Sequence, residues 1–400
     1  LGTAHGCAIL DNGNLKCWGS NLQGEVGDGT AWLRRTPVNV DLGGISAVAI
    51  SAIHYNTYVI LEDGSMKSWG HQGDGKLGYL PVVNQYLPAN VSLPLGRTVK
   101  SMASGNYHQC VILDNNSVNC WGLNTYGQIG DGTIITRNIP TYVDIGGSGI
   151  ARAISTGGSM SCVILDNANV KCWGDIIPEN WAGNTTATDI PIPTGRHIDL
   201  SERDIDGDGV LNIFDTHMAG AQGDLIHVDA TLGMGGAHEC VLLNTGSVAC
   251  WGDGDYGKLG HGLTTNSENP VNVSLPSGMT ATAISAGRWH TCAIMDNGSL
   301  MCWGQGTDGQ IGDGAATHRS TPSYVSLPSG RTAEAVTGGR WHTCAILDDG
   351  SLWCWGNNNY YQLGDGTSVS RATPVSSSLP AGRTAVSVAA GDTYTCAILD

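Results

Sequence analysis

Asp204-Ile205-Asp206-Gly207-Asp208-Gly209-Val210-Leu211-Asn212-Ile213-Phe214-Asp215 sets side-chain oxygens at positions 1, 3, 5, 9 and 12 of a twelve-residue loop, those of Asp204, Asp206, Asp208, Asn212 and Asp215. Gly209 stands at position 6, where the chain must turn sharply, and Val210 offers its carbonyl at position 7. A hard cation needs that many oxygens, so the spacing predicts a Ca2+ site. The competing reading is an acidic, solvated surface loop. Four carboxylates crowded together repel one another, so the loop should tighten only once calcium neutralises it.

Twelve of the 13 cysteines form six pairs ten residues apart: Cys7 and Cys17, Cys110 and Cys120, Cys162 and Cys172, Cys240 and Cys250, Cys292 and Cys302, Cys344 and Cys354. A tip such as Asp296-Asn297-Gly298 lies between each pair and reads as a three-residue hairpin loop, with Gly in the left-handed conformation. That loop sets Cys292 across from Cys302, at the roughly 4.5–5.5 Å between α-carbons that a disulfide spans. Where one cysteine is missing, both are: Tyr58 and Ser68 occupy the second unit's positions. Reduced core thiols and metal are the rival readings, but six two-cysteine zinc sites would each lack ligands. Cys396 is left over.

His5, His108, His238, His290 and His342 each lie two residues before a repeat cysteine. A ring of imidazoles would suit metal or catalysis, but one per sheet keeps neighbours apart, and a ring-to-backbone bond is the expected role. Asp28, Asp131, Asp313 and Asp365, each within Gly-Asp-Gly, suit turns in which Asp bonds its own backbone. Seven tryptophans of Trp-Gly pairs read as core anchors, whereas Trp32, Trp181, Trp289, Trp341 and Trp353 fall outside that pattern and are candidates for a contact patch. No nucleophile elbow, His-Glu-x-x-His, phosphate loop or dinucleotide fingerprint is present, so no catalytic or cofactor-binding residue is assigned beyond the calcium ligands.

The elements that carry these residues repeat. Trp289-His290-Thr291-Cys292-Ala293-Ile294-Met295-Asp296-Asn297-Gly298 returns 52 residues later as Trp341-His342-Thr343-Cys344-Ala345-Ile346-Leu347-Asp348-Asp349-Gly350. The Trp-Gly pair falls at Trp18, Trp69, Trp121, Trp173, Trp251, Trp303 and Trp355, which makes seven units, the fourth bearing a 26-residue insertion. Four short strands fit each unit, as in Thr280–Ser285, His290–Met295, Ser299–Trp303 and Pro322–Leu327. Such sheets must stack to bury their faces, and a radial propeller does so while leaving only short edges.

Gly287-Arg288-Trp289-His290-Thr291-Cys292-Ala293-Ile294, Asp296-Asn297-Gly298-Ser299-Leu300 before Trp303-Gly304, and Gly309-Gln310-Ile311-Gly312-Asp313-Gly314 resemble the repeat of the regulator-of-chromosome-condensation family. The resemblance implies an all-β, seven-bladed β-propeller of about 52-residue, four-stranded repeats with the calcium-loop insertion in the fourth unit. It implies one domain over residues 1–400, with units near 1–51, 52–103, 104–155, 156–233, 234–285, 286–337 and 338–389, a partial copy at 390–400 and the insertion within 175–230. The loop at 204–215 is similar to EF-hand loops and, with Asp215 at its last position and no long flanking helices, more so to dockerins and thrombospondin type 3 repeats.

Thirty-five acidic against 19 basic residues give a formal charge of −16, so a phosphate backbone meets net repulsion and nucleic acid is not an expected partner. No apolar run is long enough for a membrane-spanning helix, and the cysteine pairs imply an oxidising location: extracellular, cell-surface or periplasmic. The expected function is a monomeric, non-enzymatic, extracytoplasmic binding or adhesion scaffold whose face loops meet a protein or glycan. The alternatives are a secreted enzyme inhibitor, since a β-lactamase inhibitor uses a similar propeller, and nucleotide exchange on a small GTPase, which the cysteines and charge disfavour.

Overall fold

A hairpin closed by three residues is the local unit. Met295 N–H donates to the Ser299 carbonyl and Gly298 N–H to the Met295 carbonyl, with Gly298 at φ 75°. Counting back from that hydrogen-bonded closing pair, Ile294 opposes Leu300 and Cys292 opposes Cys302, a non-hydrogen-bonded site where α-carbons approach most closely. All six expected disulfides form in this way, with Cα–Cα distances of 4.0–4.1 Å, a little shorter than the sequence spacing suggested. Tyr58 and Ser68 oppose each other at the same register, and both hydroxyls donate instead to backbone carbonyls, of Lys76 and Leu77.

Ala168 holds the glycine position of its hairpin tip at φ 62°. A Cβ in the left-handed region costs about 1–2 kcal/mol, partly offset by the greater freedom glycine has when unfolded. Ala168→Gly should therefore stabilise the protein by about 0.5–1 kcal/mol, read as a higher urea midpoint at unchanged slope; a lower midpoint would show that the tip is not strained.

The computed structural model describes residues 5–80, 83–147, 149–175, 184–191 and 232–400. The fold is an all-β seven-bladed propeller: antiparallel sheets, six four-stranded and one three-stranded, followed by a two-stranded hairpin, with no α-helix among the described residues. Two compact units divide the chain near Ile190. The first holds the three-stranded sheet His5–Ile9, Leu15–Gly19, Arg34–Val40 and three four-stranded sheets ending at Asn184–Ile190; the second runs from Leu232–Met234 to the hairpin Ala385–Ala390, Thr395–Leu399. The calcium loop, Asp204 to Asp215, lies outside the described residues, as does Trp181.

A representative blade is Ala281–Ala286, His290–Met295, Leu300–Gly304 and Arg319–Tyr324. The first three strands fall where the sequence placed them. The fourth begins three residues earlier than the expected Pro322–Leu327, because Gly304 pairs with Arg319 after a bulge and Pro322 sits inside the strand. An interior proline is tolerated only where its missing N–H faces no neighbour. Pro37, Pro88, Pro140, Pro270, Pro322 and Pro374 all occupy such last strands, where they block edge-to-edge pairing.

The core lies between sheets. Alternation sends Cys292, Ile294 and Cys302 toward Ala345, Leu347 and Trp355 of the next blade, and sends Ala293, Met295 and Trp303 toward Cys240 and Cys250 of the previous one. Adjacent Cys302 and Trp303 thus serve opposite faces: this blade offers its disulfide forward and its indole backward.

Candidate functional site

The residues that most resemble chemistry are consumed by this stacking. His290 Nε2 lies 2.8 Å from Thr343 Oγ1 on the next blade, and that hydroxyl donates to the Gln310 carbonyl at 2.8 Å, which also accepts the Trp355 indole N–H at 2.9 Å. The same latch joins His5 to Thr57, His108 to Ser161, His238 to Thr291 and His342 to Thr395. Because the hydroxyl gives its proton to a carbonyl, the imidazole must donate to the hydroxyl. It therefore cannot act as a base toward it. Burial, reinforced by His342, holds the His290 imidazole down at about 3, and His108 lies at about 3 through burial. The expected ring-to-backbone bond is thus corrected: the main partner is a hydroxyl 53 residues away on the neighbouring sheet. A preceding glycine makes room, since a Cβ on Gly235 would stand 2.2 Å from the His238 ring.

The Gly-Asp-Gly aspartates prove to be turn residues with an added clamp. Asp131 Oδ1 accepts the backbone N–H of Thr133 at 3.0 Å and its hydroxyl at 2.7 Å, while Arg137 pairs with Oδ2 at 2.5 Å. Burial alone would raise this carboxyl, but the bonds from Thr133 and Arg137 outweigh it and hold it below the ordinary range. Asp28 with Arg34, Asp313 with Arg319 and Asp365 with Arg371 repeat the arrangement.

Partly exposed arginines and aromatics lie on the loops between first and second strands. In the second unit these loops are chained: Gly236 N–H donates to the Arg288 carbonyl, Arg288 N–H to Gly339 and Arg340 N–H to Gly391, at 3.2–3.3 Å. Such a backbone belt fixes the side chains it carries. The Arg288 guanidinium stands 5.5 Å from the Trp289 ring centroid and that of Arg340 5.1 Å from the Trp341 ring. Lys258 Nζ lies 4.8 Å from the Trp289 centroid and pairs with Asp253 at 2.6 Å. Burial pushes this ammonium down and Asp253 pulls it back. Tyr256, held at φ 62°, meets Trp289 edge-on at 6.3 Å and His318 at 4.7 Å.

Trp289, Trp341, Arg288 and Arg340 are all partly exposed. Arg340 reaches Asp392 at 3.4 Å, whereas Arg288 makes no ion pair among the described residues. Cations stacked on indoles make a surface that can hold carboxylates or flat polar groups. In the first unit the equivalent loops bear His54, Tyr55 and Tyr107, with Lys76 5.6 Å from the Tyr107 ring.

Sequence reasoning had flagged Trp289 and Trp341. It missed Arg288, Arg340, Lys258, Tyr256 and His318, although the twice-written Gly-Arg-Trp-His at 287–290 and 339–342 was a usable signal. Trp32 is exposed on another loop, and Trp353 packs beside a core cluster with its indole bonded to Ser351.

Sequence models described as "Regulator of chromosome condensation (RCC1) repeat" match residues 63–112, 115–164, 245–294, 297–346 and 349–398, and a second model of that description matches 1–25, 99–128, 281–310 and 334–362. The ultraviolet-B receptor UVR8 of Arabidopsis thaliana is 25% identical over 376 residues, covering 93% of this chain and 79% of that protein. The human E3 ubiquitin-protein ligase HERC2 is 24% identical over 390 residues, covering 96% of this chain, which spans 8% of HERC2's length. The crystal structure of Prp20p from Saccharomyces cerevisiae, studied for its binding to Gsp1p and histones, superposes with a TM-score of 0.68 at 16% identity, covering 96% of this chain and 90% of that one.

Proposed function

Since the chain belongs to the regulator of chromosome condensation (RCC1) repeat family, we propose that it is a non-enzymatic scaffold which presents propeller-face loops to a protein partner outside the cytosol. The observation that carries this reading is the pair of Arg-Trp loops, 287–289 and 339–341, held by a backbone belt while the histidines, repeat aspartates and all but one of the Trp-Gly tryptophans serve the stacking or are buried in it. A partner captured by the immobilised chain should crosslink to those loops, and Trp289→Ala with Trp341→Ala should weaken capture by about tenfold or more, as loss of an aromatic anchor does. Crosslinks confined to hairpin tips such as Asp296–Gly298, with affinity unchanged in the double variant, would sink the reading.

The six disulfides support a location in an oxidising compartment. Calcium, held by Asp204, Asp206, Asp208, Val210, Asn212 and Asp215, is the second element of the proposal and rests on sequence alone. Millimolar calcium should raise the melting temperature, with calorimetric binding lost in Asp206→Ala together with Asp208→Ala. Neither heat nor shift in the unaltered chain would remove calcium from the proposal.

A further inference from the structure

Gly75-Lys76-Leu77-Gly78 and Gly257-Lys258-Leu259-Gly260 write the same element twice, once in each compact unit. Both lysines give their carbonyls to the stacking, accepting the indole N–H of Trp121 at 2.7 Å and of Trp303 at 2.8 Å. Both also set their ammonium against an aromatic ring, Tyr107 at 5.6 Å and Trp289 at 4.8 Å. They differ in what neutralises the charge. Lys258 Nζ donates to Asp253 Oδ2 at 2.6 Å, and Asp253 is the residue that follows its Trp-Gly pair. In the first unit that position is His71.

The imidazole reproduces only half of what the carboxylate does. Asp253 Oδ1 accepts the N–H of Asp255 at 2.8 Å, and His71 Nδ1 accepts the N–H of Gly73 at 3.2 Å, so the turn is kept. The second oxygen has no counterpart: with Nδ1 accepting, a neutral ring carries its proton on Nε2 and presents a donor where Asp253 presents an acceptor. Burial, and then Lys76, hold the His71 imidazole below its ordinary value, which keeps it neutral at pH 7. Lys76 is only 5% exposed, yet its ammonium makes no hydrogen bond or ion pair among the described residues. The exposed Asp74 attracts it without reaching ion-pair distance, and the Glu25 carboxylate is taken by the Ser20 hydroxyl and the Gln23 N–H.

A buried ammonium with no counter-charge in contact is costly, and the cost is removed by any anion that reaches it. Rings edge the place: Tyr107 meets His54 at 5.7 Å, His54 meets Tyr55 at 6.0 Å, and Tyr55 meets His71 at 6.3 Å. Both tyrosines are exposed, so this aromatic rim reaches the surface. We propose that Lys76 binds a carboxylate from outside the chain, in the place the Asp253 carboxylate takes at Lys258, with His71 Nε2 as a second donor and the Tyr55 and Tyr107 rings as walls. The carboxylate is that of an acidic peptide side chain or of a free small acid. The formal charge of −16 repels both at long range, so contact and not steering supplies the affinity. The inference is independent of the Arg-Trp surface.

Isotope-labelled lysine Cε in the full chain reports the ammonium, and the resonance missing from Lys76→Gln identifies Lys76. Glutamine already stands at this position as Gln128, Gln310 and Gln362, so the element accepts that variant. Benzoate should shift the Lys76 resonance saturably, with an apparent Kd about tenfold or more below that of benzamide, which has the same ring and no charge. Acetyl-Gly-Glu-Gly-amide against its Gln counterpart is the peptide arm. Tighter binding of the Glu peptide assigns the site to an acidic side chain, tighter binding of benzoate to a free acid, and either supports the site. His71→Asp gives Lys76 the partner that Lys258 has and should weaken binding of the charged ligand by about tenfold or more. The benzoate and benzamide comparison needs no variant to fold. No shift, equal shifts from charged and neutral ligands, or undiminished binding to His71→Asp would overturn the proposal.

Discussion

Between about pH 7 and pH 5 the protein should lose several kcal/mol of folding stability, because its five latch histidines are neutral when folded and charged when unfolded. Burial holds His5, His108 and His290 down at about 3 and His342 at about 4; His238 lies well below the ordinary value, through burial and then the neighbouring Lys258 and His290. The folded values lie below the unfolded one of 6.5, so between them the unfolded chain binds protons that the native state refuses. Their contribution is complete above pH 6.5 and drains away as the pH falls toward about 3.

Each histidine costs about 1.4 kcal/mol per pH unit in that window, or about 2 kcal/mol at pH 5, which sets an upper limit near 10 kcal/mol for five. Glu239 works the other way, since burial raises its carboxyl well above the usual range. The repeat aspartates, held low against their burial by hydrogen bonds from the residue two positions on and then by their arginines, add to the loss only at more acid pH. Urea midpoints measured across this range should fall steeply, and His290→Asn should flatten the dependence by about one proton. A stability flat from pH 7 to pH 5 would mean that the latches are open to water.

The latches also mark where sequence reading stops. Alternation within a hairpin is local, so the opposition of Cys292 and Cys302, the substitution of Tyr58 with Ser68 and the glycine at the tip could be counted along the chain. The hydroxyl that receives the His290 proton lies one blade away, and no rule for a single sheet names it. The fourth strand was misplaced for a related reason. Pro322 looked like a strand start, but the strand begins at Arg319, which Asp313 anchors through a clamp that local strand signals do not announce. Trp289 and Trp341 stood out because they fall outside the Trp-Gly pattern; Lys258 did not, since its carbonyl serves the stacking while its buried ammonium lies against Trp289 and pairs with Asp253. One residue here answers to two periodicities, and only the structural one repeats.

Replacing Trp303 by alanine should be among the most damaging single changes outside the disulfides. The side chain is fully buried, packs with Leu259 and Val273, and donates its indole N–H to the Lys258 carbonyl at 2.8 Å. Gly260 lies under the ring so closely that no other residue type would fit, which means the cavity left by truncation is walled by rigid backbone and collapses poorly. Loss of a buried aromatic in such a setting costs about 3–5 kcal/mol. Trp303→Phe should cost less, about 1–2 kcal/mol beyond the volume change, because the Lys258 carbonyl keeps the Thr291 hydroxyl at 3.2 Å as a donor. Removing both donors, Trp303→Phe with Thr291→Val, strands that carbonyl, so the loss in the double variant should exceed the sum of the two single losses by about 0.5–3 kcal/mol. Equilibrium urea unfolding of the four proteins in this cycle decides it: strict additivity would show that indole and hydroxyl do not share one acceptor, and that the latch is not the joint that holds successive blades together.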